Sequence, residues 1–410
     1  MRLPRMLEPL RIRDFALLWT GMTTSLVGDF IFLIAYPWQT YQLTNNPATL
    51  GWISALYFAP TVILLTAGGV LTDRVERRWL MIAADALRAI AIGTGAVLAI
   101  THQLTLWELG LVVAFGGVGQ ALFAPAFGSI VPELVPRDLL AQANSLDMFV
   151  RTSAGLVGPA IAGVVIAVAG AGWAFAADAA TFVVSTGTAF ALTPRPFERS
   201  TERRSAWREA REGFGFVRRH TWLWATLGAG AFVNIASGAR NVLLPFVIKY
   251  DLHATARVLG LVYAAGSAGA LISSLVYGQR GLPRRPVLVA YVGWTLSIGA
   301  IIAYGLARNV PELLGVGFAG GIGMALGNAI WGTLMHTHVP RHILGRVTSI
   351  DWMVSLSLWP VGAASAGLVA NAIGARATLI GAGAIGIVAC LGPLAAFRSK
   401  LEPPGKTGET

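Results

Sequence analysis

The chain has 410 residues, of which 55% are apolar and only 12% charged, and it carries a formal net charge of +11. Soluble domains hold about twice that charged fraction, so a string of ordinary soluble domains is excluded. Nucleic-acid binding is not indicated either, because the Lys and Arg residues sit in short stretches between apolar runs and form no continuous stripe. The single cysteine, Cys390, lies inside an apolar run and rules out an intrachain disulfide or a cysteine-based metal cluster.

At the start of the chain, Arg2, Arg5, Arg11 and Arg13 precede an apolar run in the manner of a signal peptide. That run extends to about Tyr41, well beyond a signal-peptide core of roughly 7 to 15 residues, so it predicts an uncleaved first span. Twelve runs reach the length needed to cross about 30 Å of hydrocarbon as a helix. They cover 15–41, 50–71, 79–100, 106–131, 143–169 and 173–192, then 222–250, 258–277, 286–306, 313–335, 350–372 and 377–397. An even number places both termini on one side. Of the 31 Lys and Arg residues, 24 fall on that side; Lys249, Arg257, Arg308 and Arg376 fall on the other, and Arg88, Arg151 and Arg240 lie within spans. The bias of positive residues toward the cytoplasm makes both termini cytoplasmic.

Between the second and third runs, Asp73, Arg74, Glu76, Arg77 and Arg78 form a tight charged turn, preceded by Gly68 and Gly69, which allow close helix approach. The stretch 194–221 is a polar linker rich in Arg and Glu, in which Trp207, Ala210, Phe214 and Val217 recur at helical spacing. That spacing predicts an amphipathic helix on the inner leaflet, the alternative being a solvated tether. Residues 399–410 read as a disordered tail. Gly405, Lys406 and Thr407 look like the end of a phosphate-binding loop, but Lys400 stands where the upstream glycine is required, and no cofactor is expected.

The chain also repeats itself. Residues 116–150 align without a gap on 320–354 at an offset of 204, with 13 of 35 positions identical, among them Gly119 with Gly323, Val135-Pro136-Arg137 with Val339-Pro340-Arg341, and Asp147 with Asp351. The predicted organisation is two parallel six-helix halves, 1–193 and 222–398, with a substrate site expected near mid-membrane.

Several polar residues within the spans are candidates for function. Asp29 lies near the middle of the first run, where a carboxylate facing lipid is costly, so it is expected to face the bundle interior as a proton-coupling group or as a hydrogen-bonded structural acid. Asn234 is its counterpart in the second half. Asp147 and Arg151, four residues apart, can pair on one helix face, and they stand either for a substrate or coupling site or for a local ion pair. Asp85 and Arg88 read as a local pair. Arg240 has no acid within one turn and needs a partner on another helix or an anionic substrate. Asp178 and Glu133 read as helix-end residues that reach the surface by snorkelling. Tyr57, Gln120, Asn328 and Trp331 could line a cavity but read first as packing.

The turn after the second run resembles the G-x-x-x-D-R-x-G-R-R loop of the major facilitator superfamily, fitted by Gly69, Asp73, Arg74, Arg77 and Arg78, with Glu76 where the pattern has glycine. Gly158, Pro159 and Gly163 resemble the G-P-x-x-G-G signature of that superfamily's antiporters, with Ala162 in place of one glycine. Gly28-Asp29, the 123–126 and 132–136 runs and Ala143-Asn144-Ser145 further resemble the bacterial branch that contains macrolide-efflux and enterobactin-export proteins. The resemblance implies an all-α membrane protein of twelve transmembrane helices. It implies a monomeric secondary transporter of a bacterial plasma membrane that exports drugs or amphipathic metabolites in exchange for protons and has no enzymatic activity. The run 106–131 contains no arginine, so a proton relay through an arginine there, found in many drug antiporters of the superfamily, is not expected. An importer of an anionic solute, motivated by Arg151 and Arg240, and a transporter-like sensor are the alternatives. In the gating turn, Asp73 is expected to reach Arg346, at the start of the eleventh run.

Overall fold

The computed structural model describes residues 5–72, 75–193 and 206–397. Among them, a 3-10 turn (Arg5–Arg11) leads into thirteen α-helices: α1 (Arg13–Leu43), α2 (Pro47–Thr72), α3 (Arg77–Ile100), α4 (Leu106–Leu134), α5 (Leu140–Ala169), α6 (Ala171–Phe190), α7 (Ala206–Arg219), α8 (Thr221–Phe246), α9 (Ala256–Arg280), α10 (Pro286–Leu306), α11 (Val310–His338), α12 (Arg341–Ile373) and α13 (Ala375–Phe397). Where no water can satisfy the backbone, apolar runs of this length must close their hydrogen bonds internally as helices. Among the described residues ten helices are long and apolar enough to cross a membrane, and α2 and α6 occupy the other two predicted runs. Large apolar side chains such as Trp107, Val168 and Val388 stand open to the surroundings. On a soluble protein they would be sticky patches; here they match lipid.

The chain divides into two compact units: the described residues of Met1–Thr201 with Ile248–Ala264, and those of Glu202–Val247 with Ala265–Thr410. In the first, α1 packs on α5 and α6, α3 on α4 and α6, and α2 on α4. The segment 248–264 is held there by α1 and α5. The Lys249 ammonium and the Tyr250 hydroxyl both donate to the carbonyl of Tyr41, the latter at 2.7 Å. Against α5, a Cβ at Gly260 would sit 2.3 Å from the carbonyl of Pro159. Gly158 has the same role toward α1, where a Cβ would meet that of Phe30 at 2.5 Å. Gly158, Pro159 and Gly163 thus lie at close backbone contacts on two sides of α5. In the second unit, α8 packs on α12 and α13, and α10 on α11 and α13.

The internal repeat reaches further than the sequence identity shows. Thr105 caps α4 with its hydroxyl and Asn309 caps α11 with its amide oxygen, and in each case a glutamate three residues on, Glu108 or Glu312, turns back toward the cap. At the far ends of α5 and α12, Gly170 and Gly374 adopt φ of 93° and 88°, a conformation that side-chain-bearing residues rarely take. Both pairs keep the offset of 204. Inside the units, Gly117 lets α4 meet the carbonyl of Tyr57 on α2, while Gly321 lets α11 meet that of Gly266 on α9.

Part of the linker forms α7, in which Val217 is buried in the core of the second unit with Trp222 and Leu223 and Gly213 lies against Arg346 and Ile350 of α12, while Phe214 is exposed; the side chains of Trp207 and Ala210 lie outside the described residues. The tail 399–410 lies outside the described residues.

Gly117→Ala places a methyl group 2.0 Å from a backbone oxygen that cannot move without shifting α2, whereas a methyl at Gly128 meets nothing within 4 Å. Overpacking of this kind costs about 1 to 3 kcal/mol. Thermal unfolding of the purified protein in detergent should therefore show a clear loss for Gly117→Ala and none for Gly128→Ala; equal midpoints would mean that α2 and α4 are not packed this closely.

Candidate functional site

Four helices of the first unit converge on one guanidinium. Asp85 and Arg88 are one turn apart near the middle of α3, and their side chains form a buried ion pair. Arg88 also donates to Gln120 Oε1 of α4 at 3.0 Å and lies 3.5 Å from Asp29 Oδ1, near the middle of α1. The second oxygen of Asp85 accepts a 2.6 Å hydrogen bond from Ser185 of α6. Two rings complete the enclosure, with the guanidinium carbon 4.1 Å from the centroid of Phe182 and 4.9 Å from that of Phe123. Cations are attracted to aromatic faces, the more so where water is absent.

The sequence makes room for this cluster with glycines. A Cβ at Gly119 would fall 2.4 Å from Arg88 Cγ, so only glycine lets the arginine stem pass over α4. A Cβ at Gly28 would lie 2.2 Å from the Thr181 hydroxyl and 2.3 Å from Asp178 Oδ1, so glycine next to Asp29 admits Asp178 from α6. Asp178 is therefore not a snorkelling helix-end residue. α6 begins at Ala171, which puts Asp178 two turns in; it is fully buried, takes a 3.5 Å contact from Thr181 on Oδ1, and has no hydrogen-bond partner on Oδ2. Asp29, Asp85, Asp178 and Arg88 all lie within electrostatic range of one another. Asp85, Arg88 and Asp178 are sealed, whereas Asp29 retains 20% side-chain exposure.

Asp147 and Arg151 form a separate pair on α5, Nε to Oδ2 at 2.9 Å, in the wall of a cavity of about 290 Å³ bounded by α1, α4 and α5. Asn234 on α8 donates to the carbonyl of Gly230 one turn earlier, at 2.8 Å, and Arg240 is half-buried on the same helix. Of the residues of the charged turn, Gly69 lies in α2, while Asp73 and Arg74 lie outside the described residues, as does their expected contact with Arg346. Arg346 forms an ion pair with Glu212 of α7. Arg77 pairs with Glu133 at the end of α4, and Arg78 donates to the carbonyls of Ala189 and Phe190, closing the C-terminus of α6.

Asp85, Arg88 and Asp178 are the charged members of the cluster that sequence reasoning passed over as candidates, and Gln120 reads there first as packing. For Arg88 there was a signal. An arginine in mid-span is too costly to be satisfied by one neighbour in lipid, and Asp85 one turn away leaves most of its donors unused.

Long apolar helices in two halves that repeat one packing plan make this a multi-pass membrane protein, and its fold is that of the major facilitator transporters. The chain belongs to the transmembrane secretion effector family of that superfamily, a transporter family and not an enzyme family, which it matches over residues 5–406. It is 24% identical over 371 residues to macrolide efflux protein A of Streptococcus pyogenes, covering 88% of this chain and 90% of that protein. To the enterobactin exporter EntS of Citrobacter koseri it is 28% identical over 352 residues, covering 84% and 82%. Among solved structures, a bacterial homologue of the iron transporter ferroportin in the inward-facing state superposes with a TM-score of 0.72 at 15% identity, covering 93% of this chain and 98% of that one. A POT family transporter in complex with 5-aminolevulinic acid superposes with a TM-score of 0.76 at 13% identity, covering 95% and 97%. These two show the fold.

Removing one partner of a buried ion pair costs about 3 to 5 kcal/mol, because the charges left behind have no compensation. Arg88→Met should lower the unfolding midpoint of the detergent-purified protein sharply, and adding Asp85→Asn should recover part of the loss. A single variant as stable as wild type would show that the cluster is not held by this charge.

Proposed function

We propose that the protein exports an amphipathic small molecule across a bacterial plasma membrane in exchange for protons, as a monomer with both termini in the cytoplasm, and that Asp29 is the group that exchanges the proton. One observation carries the reading: in the apolar middle of the first unit three carboxylates lie around a single guanidinium, which pairs with Asp29 and Asp85, and of the three only Asp29 keeps any appreciable side-chain exposure. Fully ionised, the cluster would hold two uncompensated negative charges, and a charge at mid-membrane costs at least about 2.5 kcal/mol. Binding a proton relieves that cost, and changing the distance between Asp29 and Arg88 changes how strongly the proton is held. A carboxyl group that is neutral in one conformation and charged in the other carries its proton across.

The description of the family as secretion effectors supports the direction, as does the export of macrolides and enterobactin by the relatives. The distribution of 24 Lys and Arg residues on one side supports the orientation. Import of an anionic solute rested on Arg151 and Arg240; Arg151 is neutralised by Asp147, which weakens that alternative.

The test is transport in proteoliposomes with an imposed pH gradient. Asp29→Asn should abolish uphill, pH-driven movement of a transported drug while leaving downhill exchange in place. Uphill transport by the Asn variant with the wild-type pH dependence would make Asp29 a structural acid. The orientation has its own check, since a cysteine introduced at Asn309 should react with an impermeant maleimide on intact cells and one introduced at Arg137 should not.

A further inference from the structure

The linker helix α7 docks one face on the second unit and leaves the other open. A Cβ at Gly213 would lie 3.1 Å from both Arg346 Cβ and Ile350 Cδ1 of α12, and Val217, one turn on, is buried in the core of that unit. At about 3.6 residues per turn, Arg211, Phe214 and Arg218 fall on the opposite face, with Arg219 at its edge. All four are exposed, Phe214 to 60%. Glu212, on the flank between the two faces, is engaged by Arg346, whereas the guanidinium groups of Arg211, Arg218 and Arg219 make no ion pair with a described residue. Among the described side chains the open face is thus a set of positive charges around an aromatic ring.

The chain itself fixes what this face meets. α7 ends at Arg219, and after His220 the membrane-spanning α8 begins at Thr221. The joint is tight: the centroid of the His220 ring lies 4.0 Å from that of Phe216, and its Nδ1 is 2.8 Å from the carbonyl oxygen of the same residue. Trp224, in the first turn of α8, is 43% exposed, and tryptophans of spanning helices collect at the level of the lipid headgroups. Arg218 and Arg219 are therefore held beside that level. Water would satisfy the arginines but leave Phe214 in contact with it; hydrocarbon would accept Phe214 but not the arginines. The headgroup layer takes both, with phosphate outside and acyl chain beneath.

We propose that the face of α7 formed by Arg211, Phe214 and Arg218, with Arg219 beside it, binds the headgroups of anionic phospholipids. The guanidinium forks donate paired hydrogen bonds to phosphate oxygens, and the net negative charge of such a lipid, absent from zwitterionic headgroups, answers the positive charge of the helix. Phe214 enters the boundary between headgroups and acyl chains. Because Gly213 and Glu212 fasten the rest of α7 to α12, lipid bound on the open face is joined to a spanning helix through the thickness of α7. Under the proposed orientation the leaflet is the cytoplasmic one, whose negative surface attracts basic segments next to spanning helices. The inference needs only the membrane setting and is independent of the direction and coupling of transport.

The experiment places a reporter on the open face. Gly215 lies one turn from both Arg211 and Arg219, and a Cβ added there meets nothing within 4 Å, so Gly215→Cys can carry a bimane without disturbing the docked side; the one native cysteine, Cys390, is buried. The full chain is placed in phosphatidylcholine nanodiscs, and bimane quenching is compared for trace phosphatidylglycerol and trace phosphatidylcholine, each with a nitroxide near its headgroup. Phosphatidylglycerol should be enriched at the reporter, and Arg211→Gln and Arg218→Gln should each lower the enrichment about fivefold, the factor that one arginine supplies beside an anionic lipid surface. Arg308→Gln, at an exposed arginine in the loop before α11, should leave it unchanged. Equal quenching by the two lipids, no quenching by either, an enrichment that survives both Arg211→Gln and Arg218→Gln, or an equal loss in Arg308→Gln would each overturn the proposal. So would displacement by inorganic phosphate beyond that given by sodium chloride of the same ionic strength, since the face would then be reading a free anion.

Discussion

The guanidinium of Arg88 is the constraint around which the first unit is arranged. An unpaired arginine in hydrocarbon would be untenable, so the chain brings Asp29, Asp85 and Gln120 to it from α1, α3 and α4, and closes the top and bottom with Phe182 and Phe123. The glycines follow from the charge. Gly119 exists to let the arginine stem cross α4, and Gly28 to let Asp178 come in beside α1. A buried ion pair gains little over an apolar core of the same volume, so stability alone does not account for keeping four helices tied to one cation.

The second unit shows the same scaffold without this charge cluster. Equivalent caps at Thr105 and Asn309, equivalent positive-φ glycines at Gly170 and Gly374, and equivalent close approaches at Gly117 and Gly321 show that the two halves share one packing plan. Where Gly119 meets the aliphatic stem of Arg88, Gly323 meets the backbone of Gly293 instead, and α10 and α11 close directly on each other. Asn234, the counterpart of Asp29, turns its amide back on its own helix. At this position one half thus carries the stem of a buried arginine, and the equivalent contact of the other is made largely by backbone.

The sequence made the fold legible because the signals for it are one-dimensional: apolar length, the sidedness of Lys and Arg, and the offset of 204. Asp29 was legible for the same reason, since a lone carboxylate at mid-span is costly wherever it points. The rest of the cluster was not. Which residues meet across helices depends on how each helix is rotated, and in a membrane both the lipid face and the packed face are apolar, so the periodicity that orients a helix in a soluble protein is weak. Asp85 and Arg88 therefore read as a local pair, and Asp178, five residues into the run 173–192, reads as a helix-end residue that could snorkel. Arg77, Arg78 and Arg346 were legible as cytoplasmic charges, but their partners Glu133, the carbonyls of Ala189 and Phe190, and Glu212 follow from tertiary placement alone.

The gradient of exposure within the cluster has a mechanistic consequence under the proposed coupling. Asp85 is committed on both oxygens, one to Arg88 and one to Ser185, and Asp178 is sealed with an open Oδ2. Under that coupling protons would enter and leave through Asp29, the member that keeps 20% side-chain exposure, and the charge on Asp29 would act on Asp178 through the shared low-dielectric interior. The three acids are then one titrating system with one door, and the protein needs to move only α1 relative to α3 to change its proton affinity. Arg88 sets the size of the response. With two further guanidinium groups each carboxylate would have its own cation, and the cluster could be fully ionised in every conformation with no reason to hold a proton; with none, it would hold its protons in every conformation. One cation among three acids is the composition in which a small displacement of Asp29 decides whether a proton stays.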